Sequence, residues 1–310
     1  AHENINRFIK DRNDFRAQIS FLDQNSRYIS IDGKRIDLKY FFETSSDKFK
    51  NIDIKLNIDN LHYNKINLGK TNIRGVFEDA NLEELEGYIS YNSIKYVNFD
   101  KSNNKQKSLK TINIHFDDFG AFLNNSNISN SFIGGNSKIE LNIKNYSLIS
   151  GKVNIDKSSI KNSSFLARLL QLASFTGLLE ILTNEGIPFD NININFTKEE
   201  SKIIVQEAKF QGFSLGGKLN GSTDINTKKI NLEGVIVPAY AINYLINKIP
   251  LIGQVITGVE GEGLIGVNFK AKGTIEEPNY TINPLSILTP GIIRSIFDSL
   301  FEENNENKSK

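Results

Sequence analysis

Between Asn51 and Ile58 apolar and polar residues alternate without a break, Ile52, Ile54, Leu56 and Ile58 against Asn51, Asp53, Lys55 and Asn57. Successive side chains of a β-strand point to opposite faces, so the segment predicts a strand with one dry face and one wet face. Shorter runs of the same kind fill most of the chain. They fall at residues 17–22, 27–31, 35–42, 61–68 and 71–77, then 87–91, 94–99, 109–116, 138–143 and 148–155. Beyond residue 190 they resume at 191–196, 202–210, 214–219, 222–226 and 229–237, and two last strands are expected at 263–273 and 280–283. Residues 1–14 read as irregular, or as a short helix at 4–10. Asp32-Gly33 predicts a two-residue hairpin turn, since both tolerate the positive φ of a type I′ turn. Asp224 to Ile230 predicts a hairpin tip, Gly134-Gly135 a turn, and 101–107 a charged loop.

The count decides the architecture. Roughly 14 to 16 strands spaced about 4.8 Å apart would give a single sheet on the order of 70 Å across. Open sheets of that many twisted strands must curl. A sandwich would need a second set of strands reserved for the opposite layer, and none is evident. The expected fold is mainly β: an elongated, curled antiparallel sheet whose inner face is an open apolar groove, with short helical inserts and a C-terminal amphipathic helix. From alternation, the inward positions are Ile52, Ile54, Leu56, Ile58, Ile139, Leu141, Ile143, Ile192, Ile194, Phe196, Ile230 and Leu232. Contiguous apolar surface of that extent marks a ligand or membrane site.

Helical signals are few. From Asn162 to Phe189 the apolar residues are too many for one face, so this insert, at 163–183, predicts a covered helix. Ser163 or Ser164 caps it, Gly186 and Pro188 end it, and Gly177 interrupts it. It reads as a plug over the sheet end or as a lid. Asp117 to Leu123 predicts a short helix capped by Asp117 or Asp118. A helical region is expected from Pro238 to about Thr257. Pro290 to Phe301 predicts an amphipathic helix with Ile292, Ile293, Ile296, Phe297, Leu300 and Phe301 on one face, able to meet a membrane or partner. A charged tail, 302–310, follows.

Several function classes recede. Lys plus Arg total 37 against 36 Asp plus Glu, a formal charge of +1, so no nucleic-acid footprint is expected. There is no cysteine, hence no thiol nucleophile, disulfide or Cys-type zinc site. The chain also lacks methionine, which suggests an internal fragment or a processed form. The most apolar long stretch, 238–259, is broken by Asn243, Asn247, Lys248, Pro250 and Gln254, so it is not a spanning helix. Gly261 to Gly266 spells G-x-G-x-x-G, but a strand is expected after it where a dinucleotide site needs a helix. His2, His62 and His115 lie far apart in sequence, no G-x-S-x-G occurs, and the carboxylate pairs sit at helix starts or turns. No catalytic residue, metal site or cofactor is expected.

Three segments carry a resemblance. Phe165 to Leu179 followed by Glu185 to Asp190, Val237 through Ile249-Pro250 to Leu264, and Glu277-Pro278 to Asn283-Pro284 resemble, in order and spacing, the C-terminal module of the AsmA-like family in its YhdP-type branch. Asp117 to Leu123 with Gly134-Gly135 resembles a weaker recurring unit of the family. The likeness is specific over 115–300 and generic over 1–114, which divides the chain into a β-meander at 1–114, an AsmA-like module at 115–301 and the tail. It implies a periplasmic protein, anchored to the inner membrane by an N-terminal segment, that conducts phospholipid along an apolar groove. The implied partners are phospholipid and, at the C-terminal end, a membrane surface or an envelope protein. A non-catalytic assembly module for the envelope is the competing reading, and a hydrolase a weaker third.

Overall fold

The computed structural model describes residues 2–10, 13–22, 26–37, 51–63, 66–78, 81–91, 94–100, 110–144, 147–173, 175–238, 267–275 and 277–283. Sixteen strands lie in chain order: β1 (His2–Lys10), β2 (Asn13–Phe21), β3 (Ser26–Asp37), β4 (Asn51–Tyr63), β5 (Ile66–Glu78), β6 (Asn81–Tyr91), β7 (Ile94–Asp100), β8 (Lys110–Phe116), β9 (Phe132–Lys144), β10 (Ser147–Ile160), β11 (Ile187–Glu199), β12 (Lys202–Gln211), β13 (Leu215–Asp224), β14 (Lys229–Pro238), β15 (Val267–Thr274) and β16 (Pro278–Asn283). Among the described residues three helices interrupt them: α1 (Phe119–Asn125), α2 (Ser164–Leu172) and α3 (Thr176–Asn184). Two compact units divide within β10, Ala1–Ile155 and Asp156–Lys310. The expected boundary at 114/115 falls inside β8. In both units each strand pairs with its neighbours in sequence, and neither sheet closes into a barrel.

The open, mainly antiparallel fold read from alternation is the one found. One pair departs from it: β3 and β4 run parallel, Ile29 beside Ile54 and Ile31 beside Leu56. A parallel neighbour cannot be reached by a tight hairpin, unlike the antiparallel pairs around it. The register nonetheless keeps positions of equal parity side by side, and the dry face continues across the pair.

The N-terminus is a strand pair, β1 on β2, and neither irregular nor helical. Asp32-Gly33 does not turn the chain. β3 runs through it, with Gly33 opposite Phe15 at a register shift. A Cβ on Gly33 would lie 2.5 Å from the Asp14 carbonyl oxygen and from the Phe15 Cα, so glycine serves close backbone approach there. Gly134 and Gly135, likewise expected to turn the chain, sit inside β9 with φ of +67° and +95°. The tip between β13 and β14 forms as expected. Asp224 accepts hydrogen bonds from the Thr227 amide (2.7 Å), the Ser201 hydroxyl (2.7 Å), the Thr227 hydroxyl (3.0 Å) and the Asn226 amide (3.0 Å).

The helical insert is two helices, not one. Ser163 caps α2 by accepting from the Leu166 amide, and α2 stops at Ala173. The break precedes Gly177, the interruption expected from sequence. The Phe175 amide bonds the Leu170 carbonyl and closes the turn. A straight rod would leave some of its apolar residues in water, whereas the bend buries Leu169, Leu170, Ala173, Phe175, Leu178 and Leu182 together. Asp118 caps α1, accepting from the Ala121 amide at 2.8 Å. The regions 238–257 (beyond β14) and 290–301, and with them Ile292, Ile293, Ile296, Phe297 and Leu300, lie outside the described residues.

Two consequences can be measured. Leu170 is fully buried and Leu172 is 40 % exposed. In urea denaturation followed by circular dichroism, Leu170→Ala should therefore cost about 2–5 kcal/mol and Leu172→Ala well under half of that. The Thr227 amide bond, the Ser201 hydroxyl and the Thr227 hydroxyl hold the Asp224 carboxyl down to about 2. Its folded value is the depressed one, so the tip is secured above the ordinary carboxylate range and loosens as pH falls towards that value. Amide exchange at Thr227, corrected for intrinsic rates, should show protection lost over that interval and unchanged above it.

Candidate functional site

The registers build the candidate surface strand by strand. In the first unit Ala17 faces Ile31, Ile31 lies beside Leu56, and Leu56 faces Ile73. Gly87 and Phe99 continue the backbone register to Ile114, which faces Ile139. Residues directly opposite share a face, so the row is apolar from β2 to β5 and again across β8 and β9. A second row runs Ile19, Ile29, Ile54 and Gly75, and Leu141 faces Ile112 one step along β9.

Burial along these rows is graded. At one end Ile58 (0 %), Ile36 (1 %) and Leu61 (2 %) form a core with Phe15, Ala17 and Ile31. Nearby, Phe119 and Phe122 of α1 pack on Phe116 at ring distances of 5.1 and 4.9 Å, beside Ile89. The protein's own side chains fill that end. Ile52, Ile54 and Leu56, like Ile139, Leu141 and Ile143, are half-buried. They keep apolar surface that no described neighbour removes in full.

The second unit repeats the arrangement. Ile192 faces Phe210, then Gly217, Ile236 and Val267 follow across the strands. The next rows are Ile194, Ala208, Leu219, Gly234 and Phe269, then Phe196, Val205, Gly221, Leu232 and Ala271. Ile230 lies in the row beyond, opposite Thr223. The helices cover one end. The Phe165 ring of α2 lies tilted 5.5 Å from the Tyr280 ring and edge-on 6.5 Å from that of Phe269, and the Tyr280 hydroxyl donates to the Phe165 carbonyl at 3.2 Å. Leu215, Val267 and Ala271 are fully buried. Ile192 and Ile230 are buried too, while Ile194, Phe196 and Leu232 stay half-buried.

Of the twelve expected positions, Ile54, Leu56, Ile139, Leu141, Ile192, Ile194, Phe196 and Leu232 fall on these rows, whereas Ile52 lies beside Arg27, Ile58 opposite Thr71, Ile143 opposite Lys110 and Ile230 opposite Thr223. Alternation does not reveal which are filled by the protein itself. Leu61 escapes it because register shifts between Ile58 and His62 break the period, and Leu215 because Gly216 and Gly217 follow it. Sequence order could not foresee Phe165 meeting Tyr280, 115 positions away.

The opposite face is polar. Arg74 bonds Asp53 at 2.8 Å and Glu86 at 3.2 Å, with Glu84 3.7 Å away. The hydrogen bond that Arg74 donates to Asp53, then the one it donates to Glu86, pushes the guanidinium's pKa further up. This cluster is solvated, and exposed ion pairs add at most about 1 kcal/mol each. His62 is a core histidine: burial lowers its pKa, and its Nδ1 lies 3.2 Å from the Asn60 carbonyl. Among the described residues no group of three or more His, Cys, Asp or Glu could hold a metal ion. The G-x-G-x-x-G glycines lie outside the described residues, and Val267–Thr274 directly after them is a strand. What the arrangement offers chemically is apolar area, in rows that cross many strands.

Burial is the leading cause holding the Tyr280 hydroxyl above its ordinary pKa. A raised folded value contributes stability that is complete below the ordinary tyrosine pKa and is lost as pH rises through the folded one. Tyr280→Phe should destabilise by about 1 kcal/mol at neutral pH. The gap between variant and wild type, from urea midpoints, should narrow above roughly pH 10.

The model of the YhdP protein family matches residues 5–280, reaching through the N-terminal strands as well as the segments with the specific resemblance. No curated protein and no solved structure matches the chain.

Proposed function

The chain belongs to the YhdP family, within the AsmA-like group of bridge-like lipid-transfer proteins, and we propose that it conducts phospholipids between inner and outer membranes along its apolar β-faces. The family is envelope-associated. In this reading the compartment is the periplasm, the inner membrane is the anchoring site, and a membrane surface or envelope protein is met at the C-terminal end. The action is passive and non-catalytic.

One observation carries the reading: the middles of the apolar rows, around Ile54, Leu56, Ile194 and Leu232, are half-buried where a closed core would bury them. Each methylene moved from water onto such a surface gains about 0.8 kcal/mol, so an acyl chain is held without any specific polar contact. Sliding along a row exchanges one apolar contact for another of similar worth. A conduit needs that flatness, because a deep minimum anywhere would trap the cargo. Among the described residues no helix is long and apolar enough to cross a membrane, so α2 and α3 do not span one.

Mass spectrometry of the purified protein tests this. Wild type should carry phospholipid, and Ile194→Asp, with strand content unchanged by circular dichroism, should retain it roughly tenfold less well, because a carboxylate on the row must be desolvated by the bound chain. Equal lipid on both proteins, or none on wild type, would sink the proposal.

A further inference from the structure

The apolar rows of the second unit are not equally open along their length. In the row that starts at Ile194, Leu219 on β13 and Gly234 on β14 are half-buried like Ile194 itself, whereas Phe269 on β15 is 2 % exposed. The next row repeats the step. Phe196, Val205, Gly221 and Leu232 are half-buried, and Ala271 on β15 is fully buried. Both rows close at the same strand.

The relief of the surface changes at that strand too. Gly221 on β13 and Gly234 on β14 set no side chain on the floor, which is where a ligand can approach the backbone closely. One strand further on stands the Phe269 ring, with Phe165 edge-on to it at 6.5 Å. Phe165 also lies 5.5 Å from the ring of Tyr280, which faces Ala271 from β16. A low floor thus runs up to a wall of three aromatic rings. The wall is braced. The Tyr280 hydroxyl donates to the Phe165 carbonyl, Ser163 caps the first turn of α2, and Leu169 and Leu170 are buried one and a half turns on. Side chains packed this closely leave no path through them for a hydrocarbon tail.

We propose that Phe165 is the end stop of the second unit's acyl site: the tails of a bound phospholipid lie over Ile194, Leu219 and Leu232, on β11 to β14, and end against its ring. This deepens the lipid-conduit reading and rests on it. A tail advancing along either row exchanges like contacts as far as β14 and meets occupied volume at β15, so its travel ends there. Phe165 acts by the bulk of its ring, which sets where a tail can lie.

The test loads the whole chain with phosphatidylethanolamine whose acyl tail ends in a diazirine, cross-links it with light and locates the attached residues by tandem mass spectrometry. Wild type should be labelled on β11 to β14, around Leu219 and Leu232, and not at Tyr280 or Ile282. Phe165→Ala should extend the labelling to Phe269, Tyr280 and Ile282. Phe165→Leu, a gentler change that guards against a folding defect, should extend it in part, and Phe165→Trp, which keeps a ring, should leave the wild-type map. Labelling of Tyr280 and Ile282 in wild type, or an unchanged map in both Phe165→Ala and Phe165→Leu, overturns the end stop and leaves the conduit standing. Lipid lost from both variants without new labelled positions overturns it as well, because a residue that only supports the fold would do that. If no row residue of wild type is labelled, the end stop and the conduit are both refuted.

Discussion

The structure depends on one constraint, in-register pairing between strands whose side chains alternate with period two. A slip of one residue in any strand would carry its isoleucines to the wet face and its asparagines to the dry one. Each of the rows from Ala17 to Ile73, and from Ile194 to Phe269, exists only because every pairing between them respects parity. Bulges are tolerated where they restore it. The shifts between Ile58 and Leu61 let Leu61 rejoin Ile36 and Phe15 in the core after two polar residues.

A face built this way must be covered, shared or left partly wet. α1 covers the end near Phe116, and α2 the end near Phe269 and Tyr280, while α3 meets β11. These helices are too short to roof whole rows. The strand middles are therefore left half-buried, and apolar area that the fold does not consume remains to hold something else.

The polar face serves a different need. Arg74 ties β4, β5 and β6 through Asp53, Glu84 and Glu86, and Asn57 reaches Asp32 on β3. Such solvated cross-strand contacts add little stability singly. They penalise slippage, since moving one strand would set Arg74 against the wrong partners, and so they protect the register of the dry face.

Much of this was legible in the chain. Alternation marked most strands and the parity of Ile52 to Ile58 and Ile192 to Phe196, and Ser163 and Asp118 announced their helices, because these depend on neighbours a few residues apart. What only tertiary structure decided depends on distant partners. The parallel run of β3 beside β4, the passage of β3 straight through Asp32-Gly33, and the strand pairing of residues read as irregular all follow from what lies alongside. So does the split of the insert into α2 and α3, since the core it enters rewards a bend that local propensity does not. Which apolar residues are filled and which stay half-open was decided last, by strand neighbours around Ile58 and Leu61 and by helices near Phe116 and Phe269, because burial is a property of the neighbours a side chain meets and not of the residue itself.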